Sequence, residues 1–110
     1  MKYDKLVRDK IPQILKKHGS QIKTYVCDNK EYIERLKNKL QEEVDEFLQD
    51  DTIEELADIL EVVYAIAKHK KTSKKELEKI REEKFQKRGG FDEKIILIEA
   101  TKVNLNNDKN

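Results

Sequence analysis

The 110-residue sequence predicts a mainly α fold, a helical bundle with a small two-stranded β ribbon. Three observations predict it. Apolar residues recur at helical spacing at Ile33, Leu36, Leu40, Val44 and Phe47. Helix-start signals stand at Asp28 with Glu31, Asp51 with Glu54, and Ser73 with Glu76. Only two short β-branched runs break the helical pattern, too few for a sheet of any size. Charged residues make up 43% of the chain, against roughly 25% in an average soluble protein. Disorder is still not expected: Leu, Ile, Val and Phe number 30 of 110, and the net charge is only +1.

The elements follow in order. Pro12 at a helix N1 position and Gly19 at a C′ position frame a short helix over about 11–18, with Ile14 and Leu15 as its apolar face. IKTYVC at 22–27 alternates and reads as a strand. A long helix follows Asp28 and breaks at Gln49, Asp50 and Asp51. Asp51 with Glu54 restarts a helix. The box at Ser73 and Glu76 opens another, carrying Leu77, Ile80 and Phe85 and stopping at Gly89 and Gly90. KIILIEA at 94–100 reads as the second strand, pairing with the first as a ribbon against the helices. Residues 1–100 are expected to form a single domain, with 101–110 a polar, fraying tail.

No apolar run approaches the ~20 residues of a membrane span. MKYDKLVRDK has no apolar stretch of the secretory type. The single cysteine, Cys27, excludes an internal disulfide and a cysteine-based zinc cluster. A cytoplasmic protein is the expectation.

Charge is balanced overall and segregated locally. Ten acids and no Lys or Arg lie between Leu40 and Val63. Residues 1–23 hold seven bases and two acids, and residues 68–88 ten bases and four acids. Most such charges are solvated helix faces. A site that needs both signs, holding cations in the middle and phosphates at the ends, is the sharper reading.

Residues 53–67 contain eleven apolar residues, and the four exceptions are Glu54, Glu55, Asp58 and Glu61. The first two sit in a first turn, where the helix dipole favours negative charge. Asp58 lies beyond it, with no Lys or Arg at i±3 or i±4. On the preceding helix Glu43 falls in the heptad slot between Leu40 and Phe47, with Glu46 one turn on. A turn near residues 50 and 51 makes the two helices antiparallel neighbours. Positions equidistant from it then face each other, Glu46 against Glu55 and Glu43 against Asp58. Members of each same-helix pair are separated by ~4.5 Å of rise. Four carboxylates meeting this way repel and raise one another's pKa values unless compensated. The natural compensation is a hard divalent cation, Mg²⁺ first and Mn²⁺ as substitute. Two such ions would activate water and stabilise a leaving phosphate.

The pattern 42-EEVDE-46 followed by 55-ELAD-58 resembles the EExxE…ExxD signature of the MazG-like all-α nucleoside triphosphate pyrophosphohydrolases. The stretches 3-YDKLVRDKIPQIL-15 and 84-KFQKRGGFDEKIIL-97 resemble a small single-domain branch of that superfamily, which is related to phosphoribosyl-ATP pyrophosphohydrolase. The resemblance implies a hydrolase that cleaves an NTP or dNTP, often a non-standard one, to monophosphate and pyrophosphate. It implies a homodimer or homotetramer. The metal ligands carry over onto Glu43, Glu46, Glu55 and Asp58, the catalytic candidates are Glu42 and Glu43, and Glu42 supports by orienting water or a second ion. Only eight residues separate Glu46 from Glu55, fewer than in many MazG proteins, so the hairpin is tight. Lys5, Arg8 and Lys10, with Lys84, Lys87 and Arg88, are the candidates for binding the triphosphate, Arg by bidentate contact.

His18 and His69 stand alone near helix ends, where the dipole favours a cation. Cys27, Tyr32, Tyr64 and Phe47 read as core, while Tyr25 and Phe91 are weak candidates for stacking on a base. Two alternatives stay open: phosphoribosyl-ATP as substrate, and a non-catalytic helical module whose acidic face binds a basic partner. The near-neutral charge and the acidic middle speak against a nucleic-acid partner.

Overall fold

The computed structural model describes residues 4–102. Four helices occupy most of them: α1 (Ile11–Lys17), α2 (Asn29–Asp50), α3 (Ile53–His69) and α4 (Lys74–Arg88). The mainly α class is as expected. By contacts the chain divides into Met1–Glu78 and Lys79–Asn110, with the boundary inside α4.

In the first unit, each helix starts and stops for a local reason. α1 carries Pro12 in its first turn and ends at Gly19, whose φ of 93° only a glycine adopts without strain. The amides of Gly19 and Ser20 donate to the carbonyls of Lys16 and Leu15, closing a Schellman motif. α2 opens on Asp28, whose carboxylate accepts from the Glu31 amide at 2.8 Å. It closes on Asp51 in the left-handed region at φ 55°, a conformation that a short polar side chain tolerates better than most. The cap of α3 is therefore not Asp51, as the sequence suggests, but Thr52, which accepts from the Glu55 amide. Asp51 is occupied in turning the chain, and the next residue inherits the capping role.

Two residues, Asp51 and Thr52, thus separate α2 from α3, and the helices pack on each other. The Tyr32 and His69 rings meet edge-to-face at 5.7 Å at the far end of the hairpin. These residues are equidistant from the turn, which confirms the antiparallel register. The buried core lies along this seam: Leu36 at 2% exposure, with Val62 and Ala67. Lys74, on the first turn of α4, sits over the Tyr64 ring at 4.8 Å.

The second unit contains the rest of α4. The box that opens this helix is as expected: the Ser73 hydroxyl accepts from the Glu76 amide, and the Glu76 carboxylate accepts from the Ser73 amide. α4 stops at Gly89, with φ 78°. No residue of this unit is buried among those described.

The β ribbon is not formed. Residues 22–27 and 95–100 contain no strand, and the described residues contain none anywhere. Val26 is 99% exposed and Ile98 91%. β propensity is a fit to a pleated, half-buried surface. Neither run has such a surface among the described residues. Of the expected tail, residues 103–110 lie outside the described residues.

Candidate metal and phosphate site

The hairpin register brings the acids of α2 and α3 together. Carboxylate oxygens of Glu42, Glu43 and Glu46 lie within 4.8 Å of one another, and so do those of Glu43, Glu55 and Asp58. Glu43 belongs to both groups and joins them. On α2 the i, i+3 and i, i+4 spacings put the three side chains on one face. On α3 the i, i+3 spacing does the same for Glu55 and Asp58. All five acidic residues singled out by the sequence are therefore in one place.

Their surroundings differ. Glu43 is buried, at 6% exposure, and its Oε2 has no hydrogen-bond partner. Its other oxygen lies 3.4 Å from Lys39 Nζ. Burial pushes its pKa up, and the neighbouring Glu46 carboxylate pushes it further, against the smaller opposing pull of Lys39. Glu55 Oε2 is likewise buried and unpartnered. Desolvation raises Glu55, as do the charges of Asp50, Asp58 and Glu43, against a smaller opposing effect of the Glu46 carboxyl. Glu42 goes in the opposite direction. A 2.7 Å hydrogen bond from Lys5 Nζ holds its carboxyl below the usual range. The same bond raises Lys5.

The basic residues divide. Lys5 pairs with Glu42, and Arg8 Nη2 donates to Asp58 Oδ1 at 2.7 Å. Lys10 is exposed at the N-cap of α1. Lys84 and Lys87 are exposed and Arg88 half-buried at the end of α4, in the other unit. Tyr25 is exposed with its hydroxyl on Glu31, and Phe91 is exposed as well.

Sequence reasoning missed Lys39 and Arg35. Lys39 reaches both Glu42, at 3.6 Å, and Glu43. Its i−4 relation to Glu43 was the available signal. Arg35 donates to the Asp4 carbonyl at 2.8 Å and to the Glu31 carboxylate at 3.1 Å. Nothing in the spacing of residues 4 and 35 announces the first of these contacts.

The donor set fits a hard divalent cation. It is made of carboxylate oxygens alone, which suit Mg²⁺ or Mn²⁺. Two of those oxygens are buried and unpartnered, a costly state for a carboxylate left without a ligand. Exposed acids cluster by chance, and the burial of Glu43 sets this group apart from them.

Comparison with protein-family models, with curated proteins and with solved structures finds no match to this chain.

Proposed function

We propose that the chain is a Mg²⁺-dependent nucleoside triphosphate pyrophosphohydrolase of the MazG-like kind, releasing monophosphate and pyrophosphate. The observation that carries this reading is the pair of carboxylate groups sharing Glu43, whose buried Oε2 has no partner. Glu43, Glu46, Glu55 and Asp58 would hold the metal. When bound, the metal would supply a water of lowered pKa and neutralise charge on the leaving phosphates. Glu42, kept ionised by Lys5, is an acceptor able to orient that water. Lys5 and Arg8 stand next to the carboxylates, where a triphosphate would lie.

The role is nucleotide-pool house-cleaning in the cytoplasm. No described helix is long and apolar enough to cross a membrane. A homodimer or homotetramer goes with this reading. Ile53, Leu56 and Leu60 form an exposed apolar row on α3 that a second copy would cover.

A second reading has an observation of its own. Lys5, Arg8 and Lys39 already compensate Glu42, Glu43 and Asp58, as a non-catalytic acidic module would require. Product analysis separates the two. NTPs, dNTPs, modified nucleotides and phosphoribosyl-ATP are incubated with Mg²⁺ or with EDTA. Monophosphate plus pyrophosphate, abolished by EDTA and by Glu43→Gln, is the expected result. No turnover of any nucleotide would leave the module reading.

A further inference from the structure

Residues 4–10 form no helix or strand, yet three side-chain contacts fix them across the hairpin. Arg35 of α2 donates to the Asp4 carbonyl, Lys5 pairs with Glu42 of α2, and Arg8 pairs with Asp58 of α3. Half-buried Leu6 and Val7 lie between the two cations. Three residues of extended chain span roughly 10 Å, about the distance between the axes of packed helices. The segment is therefore a strap from one helix to the other, and it meets each at an acid of the carboxylate cluster.

Both ion pairs are partly open to water: Arg8 is 54% exposed and Asp58 38%. Exposed pairs of this kind are weak. Asp58 is also one of the oxygens converging with Glu43 and Glu55. Arg8 and a divalent cation thus compete for one carboxylate, and the doubly charged competitor has the stronger Coulomb attraction. Beside Glu42 lies a cavity of about 100 Å³, lined by Lys5, Arg35, Asn38 and Lys39 together with Leu6 and the acids Asp4 and Glu42. Its three cations and amide outnumber the two acids and supply donors of the kind a phosphate takes.

We propose that Arg8 and Lys5 are exchangeable counter-ions of the carboxylate cluster: Arg8 yields Asp58 to a divalent cation, and the released strap cations take the phosphates of the substrate, seated at the cavity beside Glu42. This rests on the metal-dependent reading above, and its test needs no turnover. Removing Arg8 removes the competitor. Arg8→Ala therefore binds Mn²⁺ more tightly than the wild type when no nucleotide is present, by about threefold to fivefold. Lys16→Ala, which deletes the same charge from the exposed face of the neighbouring α1, leaves the affinity unchanged. Inorganic pyrophosphate binds more weakly to the Mn²⁺-loaded Arg8→Ala protein than to the loaded wild type.

Mn²⁺ binding is read by electron paramagnetic resonance. Hydrogen exchange over residues 4–10 supplies the second readout and rises when Mn²⁺ is added to the wild type. Equal Mn²⁺ affinity in wild type and Arg8→Ala overturns the exchange while leaving the metal site standing. Equal tightening by Arg8→Ala and Lys16→Ala overturns it as well, because the effect is then one of net charge. Weaker binding by Arg8→Ala shows a structural role for the pair. If no protein binds Mn²⁺, the metal reading falls and takes the exchange with it.

Discussion

Glu43→Gln should have effects of opposite sign with and without metal. In the metal-free protein Glu43 Oε2 is buried and unpartnered, and such a group costs about 1–3 kcal/mol. Glu46 beside it adds like-charge repulsion. The amide carries no charge and brings a donor that can reach an acidic neighbour. Against this, the 3.4 Å contact with Lys39 loses its ionic part. The balance favours the variant by about 1 kcal/mol in EDTA. With Mg²⁺ the order reverses. A ligand at about 100 times its dissociation constant adds ~2.7 kcal/mol to a protein that binds it. For a domain of this size that raises Tm by roughly 10 °C or more. The variant lacks the shared carboxylate and should gain far less. Thermal and urea unfolding in EDTA and in saturating Mg²⁺ measure both halves. A variant less stable than wild type in EDTA and stabilised equally by Mg²⁺ would refute the argument, because Glu43 would then be a structural acid.

The pH dependence follows from the same groups. Glu43 and Glu55 have raised pKa values in the folded, metal-free state, so the folded chain binds protons more tightly than the unfolded one. Stability should therefore fall as pH rises from the ordinary value of 4.5 through the raised values, and Glu43→Gln should flatten urea midpoints over that window. Glu42 is lowered by Lys5 and contributes in the opposite sense: its stabilisation is present above 4.5 and fades as pH drops through its folded value. Leu36→Ala removes the most buried side chain of the α2–α3 seam and should cost about 2–5 kcal/mol in urea unfolding. Ser73→Ala breaks the reciprocal cap of α4. It should cost about 0.5–1 kcal/mol, visible as faster amide exchange in that helix with the α2–α3 hairpin unaffected.

The hairpin was legible because its signals are local. Helical spacing, the Asp28 cap and the Ser73–Glu76 box act within one or two turns, and each appears where the sequence places it. The acid register was legible for a related reason. A short turn makes helix pairing nearly arithmetic, so Glu43, Glu46, Glu55 and Asp58 could be brought together on paper. The move of the α3 cap to Thr52 was less legible, since Asp51 and Thr52 are both good caps and the backbone of the turn chooses between them.

By itself, then, the sequence determined the helices, their antiparallel pairing and the convergence of acids, all consequences of short-range periodicity. Only the tertiary structure decided the rest. Burial of Glu43 leaves one oxygen without a partner, and burial is a property of everything packed around a residue. The contacts of Lys5 with Glu42 and Arg8 with Asp58 join positions 37 and 50 residues apart, beyond the reach of any helical spacing. The two β-branched runs show the same limit from the other side. Their propensity is real, but a strand needs a partner and a surface to cover, and both runs are left largely exposed and unpaired as strands among the described residues.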